Sequence, residues 1–142
     1  MASELTQESV LQAVRDFWKA FSGNSFQALA DLYSPDANVF GVEGARAELA
    51  RLALTRRQRE YFDRHAKLLA RPGAIDVRVL GDSNAIATYS FEFSASNVGS
   101  VSGKSLDRAI RHGRATQIFQ KGENGELLIV HEHLSSADIK KE

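Results

Sequence analysis

The clearest hydrophobic pattern lies near the C terminus, where it predicts two β-strands joined by a tight turn. Residues 114–121 and 127–134 are rich in β-branched, aromatic and other apolar residues, as partly buried strands are. The four residues between them, Gly122-Glu123-Asn124-Gly125, favour a turn because glycine and asparagine accept the backbone angles it requires. Side chains on a strand alternate between two faces. One face then carries Leu127, Ile129, His131 and His133, and the other carries Leu128, Val130, Glu132 and Leu134.

Helical spacing dominates the N-terminal part of the chain. The residues that recur every three to four positions are Val10, Val14, Phe17 and Phe21. This spacing predicts an amphipathic helix with one buried face. Thr6 is placed to cap the helix, since its hydroxyl can accept a hydrogen bond from the first turn. We expect Gly23-Asn24 to end it, and a second helix to run from Phe26 to Tyr33, before Pro35.

The middle of the chain is predicted to contain a short strand, a long helix and a β-hairpin. The strand covers residues 37–42, and the helical pattern runs from Ala45 to about Leu69. We expect Pro72-Gly73 to end this helix. Residues 75–80 and 85–94 then form the hairpin, joined by a turn that contains Gly81 and Asn84. A loop at 97–105 and a strand at 106–113 complete the assignment.

Composition narrows the class of protein. At 142 residues the chain has the size of one domain with a substantial core. Its 18 basic and 18 acidic residues cancel, so no overall charge favours a nucleic acid or a membrane surface as a partner. The absence of cysteine excludes disulfides and agrees with a reducing compartment. Since no apolar leader or apolar run of about 18 residues is present, we expect a cytoplasmic protein with no nucleic-acid or membrane partner.

His131 and His133 are the candidate metal ligands, because they place two imidazoles on one predicted strand face. Glu132 lies between them and faces the other way, so a third ligand would have to come from another element. The alternative is that one of these histidines is buried and hydrogen-bonded. The glycines also lack the spacing of a phosphate-binding loop. We therefore predict neither a metal nor a cofactor.

The C-terminal hairpin also resembles a known family. The segments GRATQIF and NGELLIVHEHLS are similar to the end of SnoaL-like domains in the nuclear-transport-factor-2-like superfamily. The closest resemblance is to the association (hub) domain of calcium/calmodulin-dependent kinase II, in its small stand-alone bacterial form. Val42-Glu43-Gly44 and Gly81-Asp82 match as well, whereas Leu127 replaces a tryptophan typical of the family. The resemblance spans about residues 8–136, so we expect a single SnoaL-like domain over residues 1–142.

The resemblance implies an α+β fold, in which a cone-shaped, curved and mostly antiparallel β-sheet is packed by N-terminal helical segments. Three such segments are expected here, in the nuclear-transport-factor-2-like or cystatin-like arrangement. The superfamily includes isomerases, dehydratases, cyclases and modules that bind without chemistry, so two functions stay open. One is the binding of a small, largely apolar ligand in the cone of a homodimer. The other is an isomerase, cyclase or dehydratase that acts on a small carbonyl compound.

Strand alternation defines a candidate pocket. Tyr89, Phe91 and Phe93 share one face of their predicted strand, and the resemblance puts Phe91, Gln117 and Leu134 where hub domains carry cavity arginines. The expected ligand-binding residues are Trp18, Tyr33, Phe40, Tyr89, Phe91, Phe93, Gln117 and Leu134. Glu132 interrupts an apolar face and is the candidate catalytic base, with Glu43 at the mouth of the cone as the alternative, because a carboxylate can take a proton next to a carbonyl group. The alternative is that large side chains simply fill the cone.

The last strand also predicts an oligomer. Both of its faces begin apolar, whereas helices can cover only one of them. We therefore predict a homodimer through the convex face of the sheet. The expected interface residues are Arg114, Thr116, Ile118, Ile129 and His131.

Overall fold

The structure is a computed structural model that describes residues 5–23, 26–40, 48–49, 67–96 and 112–136. In these residues two helices precede the strands of one six-stranded sheet. The helices are α1 (Gln7–Ser22) and α2 (Phe26–Ala30). The strands are β1 (Tyr33–Phe40), β2 (Glu48–Leu49), β3 (Lys67–Leu80), β4 (Asn84–Ser96), β5 (Gly113–Lys121) and β6 (Leu127–Ser136). No helix within these ranges is long and apolar enough to cross a membrane.

Helix α1 confirms the predicted cap and periodicity. Thr6 Oγ1 accepts the backbone N–H of Ser9 at 3.1 Å, and Ser9 Oγ accepts the N–H of Thr6 at 2.9 Å. This pair satisfies two N–H groups at the helix start. At the other end, the N–H of Gly23 donates to the Lys19 carbonyl at 2.9 Å. The buried face consists of Val10, Val14, Phe17, Trp18 and Phe21.

The second helix is shorter than predicted, because Tyr33 begins β1 rather than ending the helix. The backbone N–H of Ile129 in β6 donates to the Leu32 carbonyl at 2.8 Å. The residue before β1 is therefore already hydrogen-bonded to a strand of the sheet. Pro35 lies within β1, where the register with β6 shifts between Tyr33 and Asn38. A proline is tolerated at such an irregularity, because its missing N–H costs no regular ladder bond.

The prediction of a long middle helix is wrong at both ends of the predicted range, where the structure describes strands instead. Glu48–Leu49 forms β2, and residues 67–69 begin β3, while residues 50–66 lie outside the described part of the chain. β3 continues through Pro72, with a register shift before Ile75. It pairs with β4 along most of its length, and this long-range pairing outweighs the local helical periodicity. The predicted hairpin is therefore confirmed and is longer than expected.

The six strands lie in the order β2-β1-β6-β5-β4-β3. Every neighbouring pair is antiparallel except β1 and β6, which are parallel. Helix α1 packs against β3 and β4 and covers one face of the sheet, here called the inner face. The α+β class and the curved, mostly antiparallel sheet are thus confirmed. The predicted loop at 97–105 and the predicted strand before residue 112 lie outside the described residues.

A β-bulge in β6 changes which side chains point inward. Ile118 lies opposite His131, but the next residue, Phe119, lies opposite Ile129. Val130 is therefore the extra residue of the bulge. The predicted uninterrupted alternation is wrong at this point, because Ile129 and Glu132 are both fully buried on the inner face.

The bulge also corrects the predicted dimer interface. Ile129 cannot belong to an outer surface, since it is fully buried. Leu128, which the alternation placed with Glu132, lies opposite the exposed Gln120, so it points to the outer face. Residues directly opposite each other in an antiparallel pair share a face.

Candidate ligand-binding site

The inner face carries a wall of aromatic rings between α1 and β4. The Trp18 ring centroid lies 4.8 Å from that of Phe91 and 6.2 Å from that of Tyr89. The Phe21 ring lies 5.6 Å from that of Phe93. Every second residue of β4 points inward, where the buried face of the helix meets it. The structure thus brings four of the predicted pocket residues together: Trp18, Tyr89, Phe91 and Phe93.

A chain of hydrogen bonds leads from this wall to the last strand. Trp18 Nε1–H donates to the Tyr89 hydroxyl at 2.8 Å, and that hydroxyl donates to Gln117 Oε1 at 2.5 Å. Gln117 Nε2–H donates to Glu132 Oε1 at 2.7 Å. Gln117 and Glu132 are each 0% exposed and lie opposite each other in the β5–β6 pairing. Their burial is tolerated because polar partners are at hand.

Tyr33 approaches the same carboxylate from β1. Its hydroxyl donates to Glu132 and lies 2.9 Å from both carboxylate oxygens. The two residues are 99 positions apart in the sequence, and the parallel pairing of β1 with β6 brings them together. Sequence reasoning placed both residues in the pocket but missed that they bind each other. The available signal was general, since a buried tyrosine hydroxyl needs a polar partner.

The hydrogen bonds run in one direction. An indole N–H can only donate and a carboxylate can only accept, so Trp18 and Glu132 fix the order of donors from both ends. Tyr89 accepts the indole proton and directs its own proton to Gln117. The amide nitrogen of Gln117 then faces Glu132. Across the described ranges, every buried side-chain nitrogen and oxygen atom has at least one partner.

Tyr89 remains a neutral hydroxyl in this setting. Burial, and secondly the negative charge of Glu132, raises the pKa of Tyr89 well above its usual value. A phenolate would be unfavourable away from water and beside a carboxylate. The inner face therefore holds a carboxylate next to neutral O–H and N–H donors. This combination can take a proton from a carbon beside a carbonyl group and stabilise the oxygen that becomes negative.

Phe40 is not part of the aromatic wall, so its predicted place in the pocket is wrong. Its ring lies 6.0 Å from that of His131 and 5.3 Å from that of His133, on the outer face of the sheet. Phe40 is aligned with His133 in the β1–β6 register, and its side chain therefore points to the same side. On this face His131 Nδ1 also lies 2.6 Å from Asn38 Oδ1.

Beyond Glu132, the inner face continues to Leu134, which is buried opposite Ala115. Leu134 thus lies on the face where the pocket was predicted. The histidines of β6 point to the other face. In the part of the chain that the structure describes, no three His, Cys, Asp or Glu side chains lie close enough to hold a metal ion.

A depression of about 160 Å³ lies near the start of β5 and shares Phe91 with the aromatic wall. Its lining residues are Arg71, Pro72, Gly73, Ser90, Phe91, Glu92 and His112. Arg71 and Glu92 form an ion pair of 2.8 Å, but both side chains are more than half exposed, so the pair contributes little energy. A Cβ atom at Gly73 would lie 2.8 Å from Ser90 Oγ. The sequence marked this region only through the Pro72-Gly73 pair, which predicted the end of a helix. The pair instead lies within β3.

Comparisons with known proteins agree with the architecture. The profile of the SnoaL-like domain family matches residues 10–139. A nuclear transport factor 2-like superfamily protein of known structure, from Salmonella enterica, is 18% identical with a TM-score of 0.75, and the alignment covers 94% of this chain and 92% of that chain. A protein from Xanthomonas campestris, assigned as a calcium/calmodulin-dependent protein kinase II association domain, is 22% identical with a TM-score of 0.69, covering 93% and 89%.

A protein from Shewanella frigidimarina, assigned as a ketosteroid isomerase, is 18% identical with a TM-score of 0.65, covering 91% of this chain and 96% of that chain. Such low identities show a shared fold and no more. The comparison with curated proteins gave no significant match. The family profile, in contrast, covers most of the sequence. The chain therefore belongs to the SnoaL-like domain family and has the nuclear-transport-factor-2-like fold.

Proposed function

We propose that this protein binds a small, largely apolar ligand against the aromatic wall of the inner face. The observation that carries the proposal is the fully buried Glu132, held by Tyr33 and Gln117 at the end of that wall. A carboxylate in such a place costs the fold several kcal/mol unless hydrogen bonds compensate. Tyr33 and Gln117 offset that cost, whereas an apolar residue of the same size would need no such partners, and this difference supports a role for Glu132 in function.

The chemistry of the inner face supports a ligand with an apolar body and one carbonyl group. Small-molecule sites are usually lined by aromatic and apolar side chains, with a few polar groups that fix orientation. Trp18 and Phe91 would contact the apolar body, and the amide and carboxylate of Gln117 and Glu132 would meet the polar end. The likeness to a protein assigned as a ketosteroid isomerase also supports a carbonyl compound.

Acetophenone, a small apolar ketone, is a suitable probe for this proposal. The sequence contains a single tryptophan, so one indole N–H resonance reports on the aromatic wall in an NMR titration. We expect acetophenone to shift the Trp18 resonance in a saturable way. Glu132→Gln should weaken binding at least about tenfold, or ~1.4 kcal/mol, because Tyr33 and Gln117 lose the charge that orders them. Glu123→Gln, on the exposed turn, is the matched control and should bind as the wild type does.

Thermal unfolding separates this role from a structural one. If Glu132→Gln lowers the melting temperature but leaves the affinity for acetophenone unchanged, Glu132 only supports the fold and the proposal fails. The proposal also fails if acetophenone leaves the Trp18 resonance of the wild-type protein unmoved up to its solubility limit.

A second candidate function is an isomerase, cyclase or dehydratase, because the carboxylate lies beside neutral hydroxyl and amide donors. Glu132 would take a proton from the carbon next to the carbonyl group. The electron pair of that C–H bond would form an enolate, whose oxygen the nearby donors would stabilise. In heavy water the protein would then exchange the methyl protons of acetophenone for deuterium, and Glu132→Gln would abolish the exchange. If acetophenone binds in a saturable way but its methyl protons do not exchange, the enzyme hypothesis is rejected and the binding function remains.

We further propose a homodimer formed through the outer face of the sheet. Thr116, Ile118 and His131 are half-buried there, and the Phe40 ring lies beside His131. The likeness to an association domain also supports assembly. Ile118→Arg should convert a dimer into a monomer in light scattering, because it places a charge within an apolar contact. Lys19→Glu, on the exposed side of α1, is the control and should remain dimeric. A monomer mass for the wild-type protein at micromolar concentration would contradict the proposal.

A further inference from the structure

The amide nitrogen of Gln117 has more hydrogen-bonding capacity than its neighbours use. A glutamine amide carries two N–H donors, and Glu132 Oε1 accepts one of them at 2.7 Å. Within residues 5–23, 26–40, 48–49, 67–96 and 112–136, no second acceptor binds this nitrogen. Gln117 is fully buried, and a buried donor without an acceptor is unfavourable.

The direction of the hydrogen-bond chain prevents the amide from turning around. If Gln117 were flipped, its Oε1 atom would face the Glu132 carboxylate, and two acceptors would meet. Its nitrogen would face Tyr89, whose hydroxyl already accepts the N–H of Trp18 at 2.8 Å. Among the described residues, Tyr89 would then have no acceptor for its own proton. Trp18 therefore acts on the amide through Tyr89, although it does not touch Gln117.

We propose that the second N–H of Gln117 donates to the carbonyl oxygen of the bound ligand, and that Trp18 is the positioning residue that holds the amide in this orientation. The proposal rests on the proposed function, which places an apolar ligand on the inner face. It adds that Gln117 recognises the oxygen of the ligand and that Trp18 orients the Gln117 amide. Neither role follows from the strand alternation, which gives only the face on which each side chain lies.

The charge next to the amide narrows the ligand class further. The Glu132 carboxylate is bound to the same amide nitrogen, so a negatively charged ligand oxygen would lie close to a like charge. A neutral ketone or aldehyde oxygen accepts a hydrogen bond without that repulsion. The preferred ligand is therefore a neutral carbonyl compound rather than a carboxylic acid. Benzoate, which has nearly the shape of acetophenone, should bind at least tenfold more weakly.

The carbonyl stretch of bound acetophenone tests the hydrogen bond in the wild-type protein. A hydrogen bond to the oxygen lowers the stretching frequency below its value in hexane. We expect this lowering in the wild type and in Gln120→Leu, which changes an exposed glutamine on the same strand. Gln117→Leu should return the band to the hexane value. Trp18→Phe should add a free band to the bonded one, because only the repulsion between Gln117 Oε1 and Glu132 then opposes a flipped amide.

The outcomes separate this inference from the proposed function. If acetophenone binds and shifts the Trp18 indole resonance while its carbonyl band stays at the hexane frequency, Gln117 is not the donor and the inference falls, but the binding proposal stands. This result needs only the wild-type protein, so it does not depend on whether Gln117→Leu folds. A single bonded band in Trp18→Phe would overturn the positioning role. If neither acetophenone nor benzoate binds, the proposed function fails and the inference fails with it.

Discussion

Replacing Tyr33 with phenylalanine removes a hydroxyl that lies 2.9 Å from both oxygens of Glu132. The ring itself is kept, including its edge contact with Phe17 at 6.2 Å. A hydrogen bond to a charged group contributes about 1.5–3 kcal/mol, and Glu132 is fully buried, so bulk water does not replace the lost donor. We expect Tyr33→Phe to lower the free energy of unfolding by about 1.5–3 kcal/mol.

Urea unfolding followed by circular dichroism measures this loss, and a second background identifies its cause. At about 2–4 °C per kcal/mol for a chain of this size, the melting temperature should fall by about 3–12 °C. In Glu132→Gln the acceptor is neutral, and a neutral hydrogen bond contributes only about 0.5–1.5 kcal/mol. Tyr33→Phe should therefore cost about 1 kcal/mol less in that background than in the wild type.

Equal costs in the two backgrounds would refute this reasoning. The stability contributed by the hydroxyl would then not depend on the charge of Glu132. A wild-type cost below about 0.5 kcal/mol, the lower limit for a neutral hydrogen bond, would refute it as well.

Three further substitutions and conditions test other parts of the structure. Gly113→Ala should destabilise the fold by about 1–3 kcal/mol in urea unfolding, because a Cβ there would overlap the Phe91 ring; a neutral effect would contradict this packing. Thr6→Ala should cost about 1 kcal/mol through loss of the helix cap, and an unchanged melting temperature would reject the cap. Since the pKa of Tyr89 is raised in the folded protein, the unfolded chain loses this proton first, above about pH 10. The stability from Tyr89 is therefore complete below that pH and declines above it. Urea unfolding between pH 8 and 11 should show a steeper alkaline decline for the wild type than for Tyr89→Phe, and equal slopes would contradict the raised pKa.

Local sequence signals predicted the elements whose structure is decided locally. The cap at Thr6 and the spacing of the apolar residues define α1 within the first turns of the helix itself. The turn at residues 122–125 likewise fixes the β5–β6 hairpin, and Gly125 has the positive φ of 85° that glycine favours. The α2–β1 boundary and the start of β3 were missed, because pairing with distant strands decides them.

The face of a side chain could be predicted only as far as the next irregularity. Along β4 the alternation is regular from residue 85 to 93, and the inward aromatic residues were predicted there. In β6 the bulge at Val130 turns Ile129 inward, and no local residue signals it. Phe40 was misplaced because its orientation follows from its parallel register with His133. The hydrogen bonds of the site connect residues 15 to 99 positions apart, so their partners required the folded structure.

A crystal structure of the protein soaked with 4′-bromoacetophenone locates the ligand site directly, because the bromine gives an anomalous signal. We expect one bromine peak beside the Trp18 and Phe91 rings, with the ketone oxygen within hydrogen-bonding distance of Gln117 Nε2 and close to Glu132. A peak only on the outer face beside Phe40, a peak only in the depression near Arg71, or no peak at saturating ligand would contradict the assignment of the inner face as the binding site.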